Sequence, residues 1–204
     1  MRLDLSLYLV TDPELCARRG LVETVVAAVR GGVTIVQLRD KQASDGEMID
    51  QARRLKAALA GSGVPLIIND RLAVAVASGA DGLHIGQDDG DVAAARAELG
   101  EKAILGLSVQ THDQLARLDP DALDYLGLGP VFATSTKQNH ATPLGFEGLA
   151  ALVAASPLPT VAIGGLKAEH AGRVRTAGAK GPAVVSAICG QPDPEAAARA
   201  FFAD

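Results

Sequence analysis

Three polar side chains recur at every second position of an otherwise aliphatic stretch: Gln37, Arg39 and Lys41, within Val36-Gln37-Leu38-Arg39-Asp40-Lys41. On an extended strand they leave one face together, while Val36 and Leu38 leave the other. Two cations and an amide aligned at a strand end form a clamp for a charged group. A salt-bridge ladder is the competing reading, since cations taken out of water need partners. Ile67-Ile68-Asn69-Asp70-Arg71 and Gly86-Gln87-Asp88-Asp89 bring carboxylates to the ends of two further strands. Carboxylates beside cations suit Mg2+ bridging to a diphosphate, because Mg2+ binds through one or two carboxylates together with substrate phosphates. Asp70 also stands where an aspartate caps a helix, which is the structural alternative. Asp81 reads as a turn residue, and His84 as a satisfied interior histidine.

Further along, Thr134-Ser135-Thr136-Lys137 supplies three hydroxyls and one point charge, donors suited to phosphate oxygens. Gly127 and Gly129 lack the spacing to Lys137 that a Walker loop requires, and a plain polar loop is the alternative. Ile163-Gly164-Gly165 and Val184-Val185-Ser186 end the last two apolar runs. Gly165 allows close backbone approach, and the helix expected to follow adds its dipole, so a second anion site built from neutral donors is expected there.

The elements that must position these residues follow from periodicity. Continuous aliphatic runs at 7–12, 34–40, 65–70, 82–86, 104–109, 125–130, 159–165 and 182–187 read as strands buried on both faces of a parallel sheet. Between them lie segments of helical period, such as Leu21, Val25, Ala28 and Val29, or Met48, Ala52, Leu55 and Leu59. Ser44 to Glu47 and Thr111 to Gln114 have capping-box spacing. Eight strand–helix units are what a single (β/α)8 barrel, a TIM barrel, requires. The expected architecture is therefore one α/β barrel domain over residues 1–204. An open doubly wound sheet is the alternative, although Thr11-Asp12-Pro13-Glu14 lacks its glycine-rich fingerprint.

Composition excludes several functions. Of the 204 residues 48% are hydrophobic but only 3% aromatic, and the net charge is −5 with no basic run. Nucleic acid is therefore not an expected partner. No apolar window is long enough for a membrane helix, and no secretory signal is visible, so a cytoplasmic protein is expected. Cys16 and Cys189 read as two reduced thiols.

Taken together and in order, these motifs resemble the thiamine-phosphate synthase family. They are Tyr8-Leu9-Val10-Thr11-Asp12, Gln37-Leu38-Arg39-Asp40-Lys41, Ile68-Asn69-Asp70-Arg71, the run from Ala80 to Asp89, Gly106-Leu107-Ser108, the run from Gly129 to Lys137, Val161-Ala162-Ile163-Gly164-Gly165, and Val184-Val185-Ser186-Ala187-Ile188. The resemblance covers nearly the whole chain. It implies condensation of 4-amino-2-methyl-5-(diphosphooxymethyl)pyrimidine with a thiazole phosphate, releasing diphosphate. It implies that Gln37, Leu38, Arg39, Asp40, Lys41, Asn69, Ser108 and Lys137 hold the pyrimidine diphosphate, and that Asp70 and Asp89 hold Mg2+. Thr134, Ser135, Thr136, Gly165, Val185 and Ser186 are implied at the thiazole phosphate. Arg39, Lys41, Ser108 and Lys137 are the implied catalytic set. Lys180 and Pro182 depart from the family pattern, which has an acidic residue and a following aliphatic before the last strand. The competing functions are a thiazole-phosphate isomerase of a sister branch, which needs no diphosphate and metal set, and a non-catalytic sensor of the same phosphates. Self-association is left open.

Overall fold

The computed structural model describes residues 3–133 and 142–203. Among these, eight short parallel strands close on themselves: β1 (Tyr8–Val10), β2 (Ile35–Leu38), β3 (Leu66–Asn69), β4 (Gly82–Ile85), β5 (Ile104–Val109), β6 (Tyr125–Leu128), β7 (Thr160–Ile163) and β8 (Gly181–Val184). Each strand pairs in parallel with its neighbours in chain order, and β8 returns to β1 through Tyr8↔Ala183 and Leu9↔Val184. Closure rules out the open sheet, because no edge strand is left. Most strands are shorter than the expected runs, since the polar residues at the carboxyl ends leave the ladder to form the mouth; β5 matches its run, and β8 begins one residue early, at Gly181.

The helices that return the chain are α1 (Pro13–Cys16), α2 (Leu21–Arg30), α3 (Asp45–Leu59), α4 (Leu72–Ser78), α5 (Val92–Leu99), α6 (His112–Arg117), α7 (Gly145–Ala155), α8 (Ala171–Thr176) and α9 (Pro194–Arg199). Both expected capping boxes form, at Ser44 with Glu47 and at Thr111 with Gln114. Gly79 ends α4 in the left-handed conformation, φ 66°, which a side chain would disfavour.

The strict alternation of a strand divides the apolar residues into two cores. Outward positions such as Leu9, Val36, Leu38, Ile68, Leu83, Leu105 and Leu126 pack beneath the helices. Inward positions, including Tyr8, Ile35, Ile67, Tyr125, Val161 and Ala183, fill the barrel itself. Space for Tyr125 is made on β5, where a Cβ on Gly106 would fall inside the phenol ring. Pro182 lies within β8, paired with Ala162, so its missing N–H costs the β7–β8 ladder one donor without breaking the strand.

The amino-terminal rim is stitched by carboxylates. Asp81 accepts from Leu66 N at 2.8 Å and pairs with Lys56 at 2.6 Å. Asp124 accepts from Leu105 N at 2.8 Å and pairs with Arg96 at 2.7 Å. This fixes Asp81 as a structural residue, on the rim opposite the polar mouth. Cys16 and Cys189 are both free and buried. Cys189 Sγ donates to Val10 O at 3.7 Å, and the interaction between the two thiols draws that of Cys16 down to about 7 and pushes that of Cys189 up.

Gly106→Ala is expected to destabilise the protein by about 1–3 kcal/mol, the range for overpacking a filled core. Urea unfolding of the variant checks this. A midpoint equal to that of the parent would mean that the barrel interior is loosely filled.

Candidate active site

The mouth is assembled from strand ends that sequence spacing alone leaves unconnected. On β2, Gln37 turns into the barrel, is 4% exposed, and its Nε2 donates to the Tyr8 hydroxyl at 2.8 Å. Two residues on, Arg39 reaches the rim, and its backbone N donates to the buried Thr11 hydroxyl at 3.1 Å. Leu38 between them is buried among the outer core residues, away from the mouth. Asp40 organises the following turn: its Oδ1 accepts from Gln42 N and Ala43 N, each at 3.0 Å. Arg71 holds the same turn from the other side, donating to Ala43 O at 2.6 Å and to Asp40 O at 3.3 Å. That places Lys41 over β3, its Nζ 3.7 Å from Asp70 Oδ2.

Asp70 is the one described residue other than glycine with positive φ, at 63°. Its N donates to His84 O at 2.9 Å, and Arg71 N closes onto Asn69 O at 2.7 Å across it, a γ-turn. The capping alternative does not hold, because the N-cap of α4 is Arg71. Strain of this kind is tolerated where function fixes the geometry. The Asp70 carboxyl is drawn to Asp89: burial first, then the neighbouring Asp89 carboxyl, raises it above the ordinary aspartate value, against an opposing pull from Lys41. Asp89 is itself oriented by Gly86 N, which donates to its Oδ2 at 2.8 Å. Asp88 is exposed. An Asp70 carboxyl whose proton affinity is raised by burial and by the Asp89 carboxyl beside it, at an open mouth, fits a divalent cation.

The other half of the mouth is neutral. Gly165 has φ 64°, and a Cβ there would lie 2.7 Å from Ala133 O and 2.8 Å from Phe132 Cβ. Glycine is therefore required by packing against the loop after β6 as well as by backbone conformation. After β8 the chain makes one helical turn, with Ile188 N and Cys189 N both donating to Val185 O. Among the described residues, the N–H groups of Gly165, Ser186 and Ala187 donate to no protein acceptor. The helix expected directly after β8 starts only at Pro194, so this turn stands in its place. Thr134, Ser135, Thr136 and Lys137 lie outside the described residues.

Asn69 is 5% exposed, while Ser108 is 6% exposed and lies 2.9 Å from His84 Nε2. Sequence reasoning missed Thr11, Arg71 and the two tyrosines. Tyr8 and Tyr125 carried a signal, as polar aromatics in strands buried on both faces. Arg71 carried none, because its partners, the Asp45 carboxylate and the backbone oxygens of Asp40, Lys41 and Ala43, lie about thirty residues away.

Comparison with known proteins bears on the whole chain. The family described as thiamine monophosphate synthase matches residues 7–188. A thiamine-phosphate synthase of Psychrobacter sp. (strain PRwf-1) is 56% identical over 202 residues, covering 98% of this chain and 94% of its own. One from Xanthobacter autotrophicus is 56% identical over 200 residues, with 98% and 95% covered. Among solved structures, thiamine phosphate pyrophosphorylase from Pyrococcus furiosus superposes with a TM-score of 0.88 at 34% identity, covering 98% of this chain and 95% of that one. A 3-hexulose-6-phosphate synthase shares the fold, with a TM-score of 0.67 at 18% identity over 97% and 98% of the two chains.

The raised proton affinity of Asp70 fixes the sign of a pH effect. The folded state holds a proton that the unfolded chain releases, so stability falls as pH rises through the folded value. Asp70→Asn, which keeps a residue tolerant of positive φ, is expected to raise the melting temperature of the metal-free protein at neutral pH. The gain disappears once pH drops below the ordinary aspartate range. Calorimetry at both pH values checks it, and equal melting temperatures at neutral pH would show that the carboxyls do not oppose each other.

Proposed function

Because this chain belongs to the thiamine monophosphate synthase family and is a transferase of thiamine biosynthesis, we propose that its barrel mouth joins 4-amino-2-methyl-5-(diphosphooxymethyl)pyrimidine to 4-methyl-5-(2-phosphooxyethyl)thiazole. The products are thiamine phosphate and diphosphate. The observation that carries the assignment of substrates to halves of the mouth is the contrast between them. One half holds Lys41, Arg39 and the Asp70–Asp89 pair; among the described residues the other offers the backbone N–H groups of Gly165, Ser186 and Ala187. A diphosphate that must depart as an anion suits the first half, and a phosphate that keeps its charge throughout suits the second.

The carbon–oxygen bond to the diphosphate breaks with its electron pair leaving on oxygen. The pyrimidine methylene cation is stabilised by the ring amino group, and the thiazole nitrogen lone pair then forms the new carbon–nitrogen bond. No protein nucleophile is needed. Arg39 and Lys41 neutralise the charge growing on the leaving group, with Lys137 assigned the same role by family resemblance. Asn69 and Ser108 hold the pyrimidine substrate, and Gln37 borders it from inside the barrel. Thr134, Ser135 and Thr136 complete the thiazole phosphate site by resemblance. Mg2+ bound at Asp70 and Asp89 would supply further positive charge to the diphosphate. Holding the two substrates in line supplies the rest of the acceleration. The same reading places the protein in the cytoplasm. Among the described residues no helix is long and apolar enough to cross a membrane.

The direct test is incubation of the protein with both substrates and Mg2+. Thiamine phosphate and diphosphate should appear in equal amounts and cease on chelation; formation of a rearranged thiazole alone would point to the isomerase. Arg39→Ala is expected to lower kcat about a hundredfold, as loss of a preorganised donor does elsewhere. Ser186→Pro probes the other half, because residue 186 is the first of its helical turn, where proline is tolerated; it removes the N–H together with the hydroxyl, and Ser186→Ala, which removes the hydroxyl alone, isolates the N–H. The proline variant should raise the Michaelis constant for the thiazole phosphate and leave kcat nearly unchanged. Steady-state kinetics with each substrate varied in turn checks both, and a reversal of the two patterns would exchange the two halves.

A further inference from the structure

Inside the barrel runs a chain of polar groups that bond breaking and capture do not by themselves require. Gln37 Nε2 donates to the Tyr8 hydroxyl at 2.8 Å. The Tyr8 and Tyr125 hydroxyls are 2.8 Å apart, Tyr125 and His84 Nδ1 are 2.8 Å apart, and His84 Nε2 lies 2.9 Å from Ser108 Oγ. Five strands contribute one residue each, and all five residues are buried. One end of the chain is the amide of Gln37 and the other is the hydroxyl of Ser108, both at the pyrimidine half of the mouth.

Counting protons gives the chain a direction. Each phenol carries one proton, and burial pushes both phenols well above their ordinary value, so both stay protonated. The Gln37 NH2 group can only donate, so Tyr8 accepts from it and sends its own proton to Tyr125. Tyr125 in turn sends its proton to His84 Nδ1. That nitrogen must be bare, which puts the imidazole proton on Nε2, aimed at Ser108 Oγ. The Ser108 oxygen is thereby an acceptor from His84, and its own proton is left for the mouth. The opposite direction is equally complete only if Gln37 turns its carbonyl oxygen to Tyr8. In that case Ser108 donates inward and has no proton to offer. One amide orientation therefore sets the tautomer of a histidine two strands away and the polarity of a serine beyond it.

We propose that Tyr8 and Tyr125 are positioning residues that carry this orientation through the barrel, holding His84 as the neutral Nε2–H tautomer and presenting Ser108 to the pyrimidine diphosphate as a hydrogen-bond donor. Only the last clause rests on the condensation assigned above; the tautomer belongs to the resting protein. A donor at Ser108 matches an anionic oxygen or a ring nitrogen lone pair, whereas an acceptor there would repel both.

The test is a two-bond 1H–15N correlation spectrum of the full chain with 15N-labelled histidine, at neutral pH and without substrate. The sequence has four histidines, and the signal of His84 is the one lost in His84→Gln. The expected pattern is a protonated Nε2 and a bare Nδ1. A protonated Nδ1, an average of the two tautomers, or a doubly protonated ring would overturn the proposal. In Tyr8→Phe the Gln37 amide no longer fixes which way the Tyr125 proton points, so Tyr125 can donate to His84 or accept from it and the two tautomers should average; an unchanged spectrum would overturn the role of Tyr8. In Tyr125→Phe the donor to Nδ1 is gone, and the two tautomers should average. Turnover of Tyr125→Phe should then fall about tenfold, the loss of one oriented hydrogen bond, with the thiazole-phosphate Michaelis constant unchanged. A His84 spectrum identical in Tyr125→Phe and the parent would overturn the role of Tyr125. A protein that shows the expected tautomer yet forms no thiamine phosphate would refute the condensation and leave the proton direction standing.

Discussion

The hydrogen bond between Tyr8 and Tyr125 joins β1 to β6 across the centre of the barrel, 117 residues apart in the chain, and the rest of the interior is arranged around it. A hydroxyl taken out of water without a partner is costly. Here each phenol meets the other and then one further group, Gln37 on one side and His84 on the other. The rings need room, so the facing position on β5 is Gly106. Above His84 the facing position is Gly127, where a Cβ would lie 3.3 Å from the imidazole. Below the polar layer, Ile35, Ile67 and Val161 close the barrel with aliphatic groups. The interior thus changes from apolar to polar toward the mouth, in step with the strand ends where the site lies.

At the mouth itself the protein holds an arrangement that works against its own stability. Burial and the neighbouring Asp89 carboxyl raise the proton affinity of Asp70, and Asp70 has a backbone conformation that side chains disfavour. Both are unnecessary for closing a barrel. They are overcome by ordinary packing: the strand cores are fully buried, and the opposite rim is stitched by Asp81 and Asp124 to strand N–H groups. The separation of a stabilising rim from a strained one is what lets the reactive groups be held close without the fold yielding.

The turn after β2 shows how distant residues share one task. Lys41 reaches Asp70 because Asp40 folds the turn inward and Arg71, from the start of α4, pins its carbonyls. The cation, the carboxylate and the pin come from two adjacent strand ends. A change at Arg71 would therefore be felt at Lys41, although the two side chains play different parts.

Period-two alternation placed Gln37, Arg39 and Lys41 on one face, and runs of aliphatic residues placed eight strands, because each rests on local geometry that a strand imposes on any sequence. The capping boxes at Ser44 and Thr111 were legible for the same reason. Which strand ends meet was decided only by closure of the barrel, since pairing in register is a long-range property. Closure brought Asp89 rather than Asp88 to Asp70, freed Asp70 from capping a helix, and replaced the helix expected after β8 by a single turn. It also joined Tyr8, Tyr125 and His84, which no spacing relates. A residue's type and phase are local and can be read from the chain, whereas its partner across the barrel is fixed by the folded whole.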